Sequence, residues 1–313
     1  MSNDADTPIA RGPDVEKLLE RIEELRPEAA APVREQHVVS QVLLKRFAAP
    51  GPGSAGLQVG RFDLDHPERF HKDKGTGGCG WVKDFVPFAS GSLENLWGET
   101  EQRLPAALAA VDDGSVGKDD MAMATLRDVV ALHFVRSIRT RDMHERVWEE
   151  VFAAHRRSML REGSERVRFA AHLEHGIHVT GPQGVEYFAD RFMAPSAQLQ
   201  ESGAVLRAGI EDTFQRARQM LAHAQLEIVT PLEGEFLIGD SPAVSLRYRT
   251  LSGNTVFGVA LGDANTVVLP IGPRYLIALA RETRTFKVPR SVVDELNTIQ
   301  VLAAQRYVHH RPG

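Results

Sequence analysis

Apolar residues recur at helical spacing over most of the first two thirds of the chain. This pattern predicts a front helix over residues 13–27, a second helix over 36–47 and a third over 92–111, where Ser92 fits the N-cap. The longest predicted helix runs from about residue 119 to residue 160. Because its apolar positions lie nearly all round the helical wheel, we expect this long helix to be central and buried.

Short runs typical of strands replace this pattern in two places. Alternating runs within residues 57–88 predict a small antiparallel β unit, and strand-like runs within residues 226–280 predict a second one. A closing helix is predicted from Pro289 to about residue 307, and residues 309–311 are expected to form a solvated tail. Helices first and strands later favour an α+β fold with a large helical body over an alternating α/β fold.

Composition and charge narrow the class of protein. Hydrophobic residues make up 42% of the chain and charged residues 25%, which is typical of a globular protein. The net charge of −5 and the pI near 6.2 disfavour a general nucleic-acid-coating role. No apolar run approaches the roughly 18–20 residues of a membrane helix, and the acidic start lacks a signal segment, so we expect a cytoplasmic protein without a membrane partner.

Two further features concern organisation and cysteine chemistry. We predict that residues 1–34 are an N-terminal extension with an accessory helix and that residues 35–313 are a single α+β domain. Cys79 is the only cysteine, so neither an internal disulfide framework nor a cysteine zinc cluster can form within one chain. The phosphate-binding loop, the dinucleotide-binding glycine motif, the H-E-x-x-H motif and the G-x-S-x-G motif are absent.

The first candidate site feature is the pair His37 and Gln41 in the second predicted helix. Residues four apart lie on one face of a helix, so this polar pair can point into a cleft while Val39, Leu43 and Phe47 anchor the other side. A histidine that caps the helix or bonds a nearby backbone group is the alternative interpretation.

The second candidate feature lies inside the long predicted helix, where His133 and Arg136 share one arc and Arg139 lies at its edge. Arginines among apolar neighbours are costly unless an anion meets them. That anion is either a phosphate or carboxylate of a ligand or a carboxylate of the protein itself. Glu94, Glu99 and Glu101, on the helix after Ser92, are candidates for the second case.

The third candidate feature is Asp240 with Ser241, at the turn between two predicted strands. An aspartate at such a turn often bonds its own backbone. A carboxylate fixed at the end of a strand is also a common way to orient a histidine or to hold a metal. The sequence leaves both interpretations open.

Together these motifs resemble DUF4238, a bacterial family of unknown function, over about residues 36–311. The family pattern has H-x-V-P-x-x-x-L-x-x-F, a Glu-bearing helix, R-T on a long helix, S-D-x-P, an L-P-L/I strand and a closing helix with Asn. The corresponding residues here are His37–Phe47, Glu94 and Glu101, Arg139-Thr140, Asp240-Ser241-Pro242, Val268–Ile271 and Asn297. The chain departs from the pattern at Ser40 and Arg141, which stand where the family has proline, and at Gly239, which stands in place of serine. The resemblance implies no established activity.

These residues lead to three functional hypotheses. In the first, an enzyme acts on a phosphate- or carboxylate-bearing substrate such as a phosphoester or nucleotide, with His37 as general acid/base, because histidine titrates near neutral pH. Asp240 and Glu101 then complete the catalytic group, and a divalent metal is left open as cofactor. The predicted substrate-binding residues are Gln41, His133, Arg136, Arg139 and Ser241. In the second hypothesis the same residues bind a nucleic acid or a small ligand without turnover, and in the third they form a structural polar core.

Overall fold

In the computed structural model, the contacts between residues divide the chain into two units. The structure describes residues 13–27, 33–51, 56–69, 73–248 and 255–313. Unit 1 takes the described residues of Met1–Pro32 together with Val86–Ser90 and Arg141–Gly209. Unit 2 takes the described residues of Val33–Phe85, Gly91–Thr140 and Ile210–Gly313. The predicted boundary after residue 34 stays a prediction.

The α+β class predicted from the sequence is confirmed. Within the described ranges the helices are α1 (Pro13–Leu25), α2 (Gln41–Arg46), α3 (Ser90–Asp112), α4 (Asp120–Val135), α5 (Ile138–Arg161), α6 (Ser164–His175), α7 (Pro182–Glu201), α8 (Ala204–Leu221) and α9 (Arg290–Ala303). The strands are β1 (Glu35–His37), β2 (Ala49–Pro50), β3 (Leu57–Asp63), β4 (Lys74–Gly75), β5 (Trp81–Lys83), β6 (Gln225–Pro231), β7 (Ile238–Gly239), β8 (Val244–Tyr248), β9 (Thr255–Phe257), β10 (Thr266–Gly272), β11 (Tyr275–Ala280), β12 (Arg284–Val288) and β13 (Tyr307–His310). Within the described part of the chain, none of these helices has the length and apolar character needed to cross a bilayer.

The described residues of unit 1 are helical and include two small apolar cores. One core lies between α6 and α7, with the end of α5 packed against it, and the other joins α1 to the start of α8. Most of α5 belongs to this unit, and Met143, Val147 and Val151 on it are more than half exposed. The predicted burial of the long helix is therefore wrong for its second half.

The long predicted helix is in fact two helices, because the chain breaks at Arg136 and Ser137. The Ser137 hydroxyl oxygen accepts a hydrogen bond from the backbone N–H of Thr140, which is the bond expected of an N-cap residue. The Thr140 hydroxyl in turn donates to the carbonyl of Phe134 at 2.9 Å. A new helix therefore begins at Ile138, and only α4 is buried as predicted.

The larger sheet of unit 2 has six strands in the order β12-β6-β11-β10-β8-β9. All its pairs are antiparallel except β12 with β6. Helix α9 covers one face, and Val293, Ile299 and Ala303 pack there with residues of the strands. The predicted antiparallel unit within residues 226–280 and the closing helix are thus present in this part of the molecule.

A second sheet of unit 2 has the order β2-β3-β13-β7, and β4 pairs with β3. Strand β13 lies between β3 and β7, and His309 on it is completely buried. The prediction of a solvated tail over residues 309–311 is therefore wrong for His309, whereas Arg311 is exposed as predicted. The predicted β unit within residues 57–88 is also divided, because β5 pairs with β1 and not with β3.

Candidate functional site

The front segment of unit 2 is a short strand followed directly by a short helix. Strand β1 pairs antiparallel with β5, and the Gly80 carbonyl accepts from the backbone N–H groups of Val38 and Val39 at 2.8 and 3.1 Å. Gly80 has a φ of +69°, which favours glycine, and a Cβ here would meet the Leu44 side chain. Ser40 then caps α2, since its hydroxyl oxygen accepts from the Val42 N–H.

His37 therefore lies at the end of a strand and not on the predicted helix, which begins only at Gln41. The two side chains nevertheless meet as expected, with 2.8 Å between His37 Nε2 and Gln41 Nε2. Both residues are partly exposed to solvent. A solvent-accessible imidazole with one ring nitrogen held by a carboxamide is suited to exchanging a proton through the other.

His133 is held on both sides of its ring in the buried part of α4. Its Nδ1 donates to the Val129 carbonyl at 2.9 Å, and its Nε2 accepts from the Ser40 backbone N–H at 3.1 Å. Burial, together with the nearby Arg136, lowers the pKa of His133 to about 4. This imidazole is neutral at pH 7 and has no ring nitrogen left for a substrate, so its contacts join the front segment to α4.

Arg136 is the buried cation at the centre of the group. It follows α4 directly, at the helix end where backbone carbonyls favour a positive charge. Its Nη2 donates to the carboxylate of Glu101, and its guanidinium carbon lies 5.1 Å from the centre of the Trp97 ring. Arg136 is only 1% exposed, so the Glu101 charge is what makes its burial tolerable.

Helix α3 supplies three neighbours of Arg136 from a single face. Glu94, Trp97 and Glu101 are spaced i, i+3 and i+7, which places them in one row along a helix. The sequence predicts the two glutamates of this face as candidate partners for the arginines but gives no prediction for Trp97. The signal that could have found it is this spacing, because an aromatic residue between two acidic ones shares their face.

The pKa values of the two carboxyl groups of the site, Glu101 and Glu94, are shifted in opposite directions. Arg136 and a hydrogen bond to Ser40 lower the pKa of Glu101 against the opposing effect of burial. Burial raises the pKa of Glu94, and the Glu101 charge adds to this effect, whereas Arg136 and a side-chain hydrogen bond to Gln36 oppose it. Glu101 is therefore the permanent counter-ion of the arginine, and Glu94 is the carboxyl that can carry a proton.

The pKa of His37 lies below its usual value of 6.5, mainly because of burial and secondly because of Arg136. The neutral, basic form of this ring therefore dominates at pH 7. We use the name His37 cluster for the residues that these contacts bring together, namely His37, Ser40, Gln41, Glu94, Trp97, Glu101, His133 and Arg136.

The contacts of three other predicted site residues lead elsewhere in unit 2. Arg139 donates to the Gly258 carbonyl at 3.1 Å, and Gly258 itself has a φ of +70°. The Asp240 carboxylate accepts from the backbone N–H groups of residues 305–307 at 2.7 to 2.9 Å. Ser241 is buried, and its hydroxyl has no hydrogen-bond partner among the described residues.

The Asp240 carboxylate therefore bonds the backbone of a distant segment, whereas the turn interpretation predicted bonds to its own backbone. Burial raises the pKa of this carboxyl, while the bonds from residues 305–307 oppose the change. These bonds fix the chain between α9 and β13. A direct role of Asp240 beside His37 stays a prediction.

Within the described residues, no group of three histidine, cysteine, aspartate or glutamate side chains could hold a metal ion. Among the arginines that follow Arg136, Arg141 pairs with Glu145 and Arg156 pairs with Asp190.

The comparisons with known proteins give one match. The model of the family described as "Protein of unknown function (DUF4238)" matches residues 35–313. No curated protein and no solved structure matches the chain. The matched residues include every member of the His37 cluster, and the chain belongs to the DUF4238 family.

Proposed function

We propose that this protein is an enzyme that hydrolyses an anionic substrate, with a phosphoester as the substrate class and His37 as the general base. In this mechanism the Gln41 carboxamide turns so that its oxygen accepts from Nε2–H of His37, and Nδ1 is then free to take a proton from the attacking water. A carboxamide carries both a donor and an acceptor, so it can bond either form of the ring during proton transfer.

The observation that carries the proposal is the contrast between the two histidines of the cluster. His133 is buried and bonded at both nitrogens, whereas His37 is partly exposed and bonded at one. A general base needs a neutral ring nitrogen that substrate or water can reach. Only His37 of this pair meets that condition.

The preference for an anion comes from buried donors next to His37. Arg136 directs Nη2 at Glu101, but its Nε has no hydrogen-bond partner among the described residues. A guanidinium can stabilise the negative charge that develops on a phosphoryl group, and it does so most strongly where water is excluded. Arg136 is in such a place, and its charge affects the pKa of both His37 and Glu94, which are partly exposed.

The test is turnover of phosphoesters by the wild type and by His37→Gln. The panel consists of p-nitrophenyl phosphate, bis(p-nitrophenyl) phosphate and nucleoside monophosphates. Loss of a general base should lower kcat by about 100-fold or more. His155→Gln is the matched control because His155 is an exposed histidine outside the cluster, and it should keep the wild-type rate.

The pH profile gives a second, independent readout. Because the pKa of His37 is below 6.5, kcat/KM should fall as the pH drops below that value and the ring takes up a proton. Full turnover by a folded His37→Gln variant would overturn the proposal. If that variant unfolds, the Gln41→Leu variant decides, since an unchanged acidic limb of its pH profile would equally refute the role of the His37–Gln41 pair.

A further inference from the structure

Three buried polar atoms, one on Arg136 and two on neighbouring side chains, have no hydrogen-bond partner among the described residues. They are Nε1 of Trp97, Nε of Arg136 and Oε1 of Glu94. Trp97 and Arg136 are each only 1% exposed, and the guanidinium lies over the indole ring. Folded proteins satisfy nearly all buried polar atoms, so three exceptions on neighbouring side chains indicate a place for a ligand.

The type of ligand follows from the kinds of atom that are left over. Trp97 Nε1 and Arg136 Nε can only donate hydrogen bonds. Glu94 donates as well when its carboxyl is protonated and accepts when it is ionised. With a proton on Glu94 the group therefore offers donors alone, and the Glu101 charge balances that of Arg136. Without the proton, Glu94 brings a negative charge that repels an anion.

The charged and titratable groups that face Glu94 come from three elements. Glu101 lies on the same helix, and Arg136 lies at the end of α4 close to His133. From β1, Gln36 hydrogen-bonds the Glu94 carboxyl, and His37 faces the same Arg136–Glu101 pair. Burial and Glu101 favour the protonated carboxyl, against the effects of Arg136 and Gln36.

We propose that Glu94, Trp97 and Arg136 bind one tetrahedral oxyanion of the substrate, with Glu94 in its protonated form, so that binding takes up a proton. This inference rests on the proposed function, since it identifies where the phosphoryl group of that substrate is held. Glu94 thereby becomes a binding residue, whereas the sequence predicts it only as a partner for the arginines.

The experiment is isothermal titration calorimetry of the full chain with sulfate between pH 5.5 and pH 8. Sulfate is a tetrahedral oxyanion whose own charge does not change over this range. Because one proton is taken up, the dissociation constant should rise about tenfold per pH unit above the pKa of Glu94. Formate is the comparison ligand, and a planar carboxylate should bind more weakly if all three donors contact the tetrahedral anion.

Two substitutions test the individual donors. Glu94→Gln keeps a donor and removes the titration, so sulfate affinity should no longer depend on pH. Trp97→Phe keeps the aromatic ring and removes the N–H, so affinity should fall about tenfold at every pH. Glu99→Gln changes an exposed glutamate of the same helix and should behave as the wild type.

The results separate this inference from the proposed function. The absence of saturable sulfate binding, or the wild-type pH dependence in folded Glu94→Gln, would refute the oxyanion subsite. His37→Gln should bind sulfate normally while it loses turnover. If His37→Gln retains turnover, the proposed function fails even when sulfate binds. If it loses turnover and sulfate does not bind, only the subsite is wrong.

Discussion

Replacement of Glu101 by glutamine is the most direct test of how the buried charge of Arg136 is tolerated. The substitution keeps the size and a hydrogen-bonding group but removes the negative charge. Breaking a buried ion pair costs about 3–5 kcal/mol, because the remaining charge is left uncompensated. Arg136 is 1% exposed, but a quarter of the Glu101 side chain is exposed and Glu94 remains nearby. We therefore expect the lower end, a loss of about 3 kcal/mol in the free energy of unfolding.

The measurement is urea unfolding followed by far-UV circular dichroism and by tryptophan fluorescence. Trp97 is one of three tryptophans and lies beneath the guanidinium, so part of the fluorescence change reports on the region of the substitution. Asp112→Asn is the matched control, because it breaks a carboxylate–arginine pair with Arg46 in which about half of the aspartate side chain is exposed. Exposed pairs contribute about 0–1 kcal/mol, so this control should be nearly neutral.

Two results would refute this reasoning. One is a Glu101→Gln effect as small as that of Asp112→Asn. The other is a difference between wild type and variant that persists unchanged in acid. The pKa of Glu101 is lowered in the folded state, so its contribution is present above its usual value of 4.5 and is lost as the pH falls through the folded value. The Glu101→Gln penalty should therefore shrink below about pH 4.

Two further predictions concern other buried groups of unit 2. Burial lowers the pKa of His309 from 6.5 to about 4, so the fold favours the neutral ring. The stability that this preference contributes is present above pH 6.5 and is lost as the pH falls towards 4. His309→Leu should reduce the dependence of the unfolding free energy on pH in that window by up to about 1.4 kcal/mol per pH unit. Urea unfolding at pH 5 and at pH 7 measures this dependence. His155→Gln, which changes an exposed histidine, should leave the dependence unchanged. Asp240→Asn should lower the free energy of unfolding by about 2 kcal/mol or more in the same assay, because an amide donor would face the N–H groups of residues 305–307. Wild-type stability of the Asp240→Asn variant would show that these bonds do not fix the chain.

The fold class could be predicted from the sequence because hydrophobic periodicity distinguishes the helical part of the chain from the strand-rich part. The break between α4 and α5 could not, since apolar residues continue on both sides of it. The break depends on the hydroxyl bonds of Ser137 and Thr140. The burial of His309 was also missed, because the strand β13 is short and its burial comes from β3 and β7, which are distant in sequence.

The candidate site was predictable to about the same extent. Helical spacing and the cost of a buried arginine led to His37, Glu101 and Arg136, which the structure brings into one cluster. Spacing could not show that Arg139 bonds Gly258 or that the Asp240 carboxylate bonds backbone groups. Such contacts depend on the pairing of distant segments, which is not encoded in local periodicity.

The hydrogen bonding of its buried polar groups indicates whether the His37 cluster is a ligand site or a polar core. A polar core that serves stability alone is expected to satisfy its hydrogen-bonding groups, as His133 does with Ser40 and Val129. Trp97 and Arg136 are equally buried, yet each has a donor without a partner among the described residues. Each such donor costs about 1–3 kcal/mol. Stability alone gives no reason to accept that cost beside a partly exposed histidine, whereas binding of an anion does.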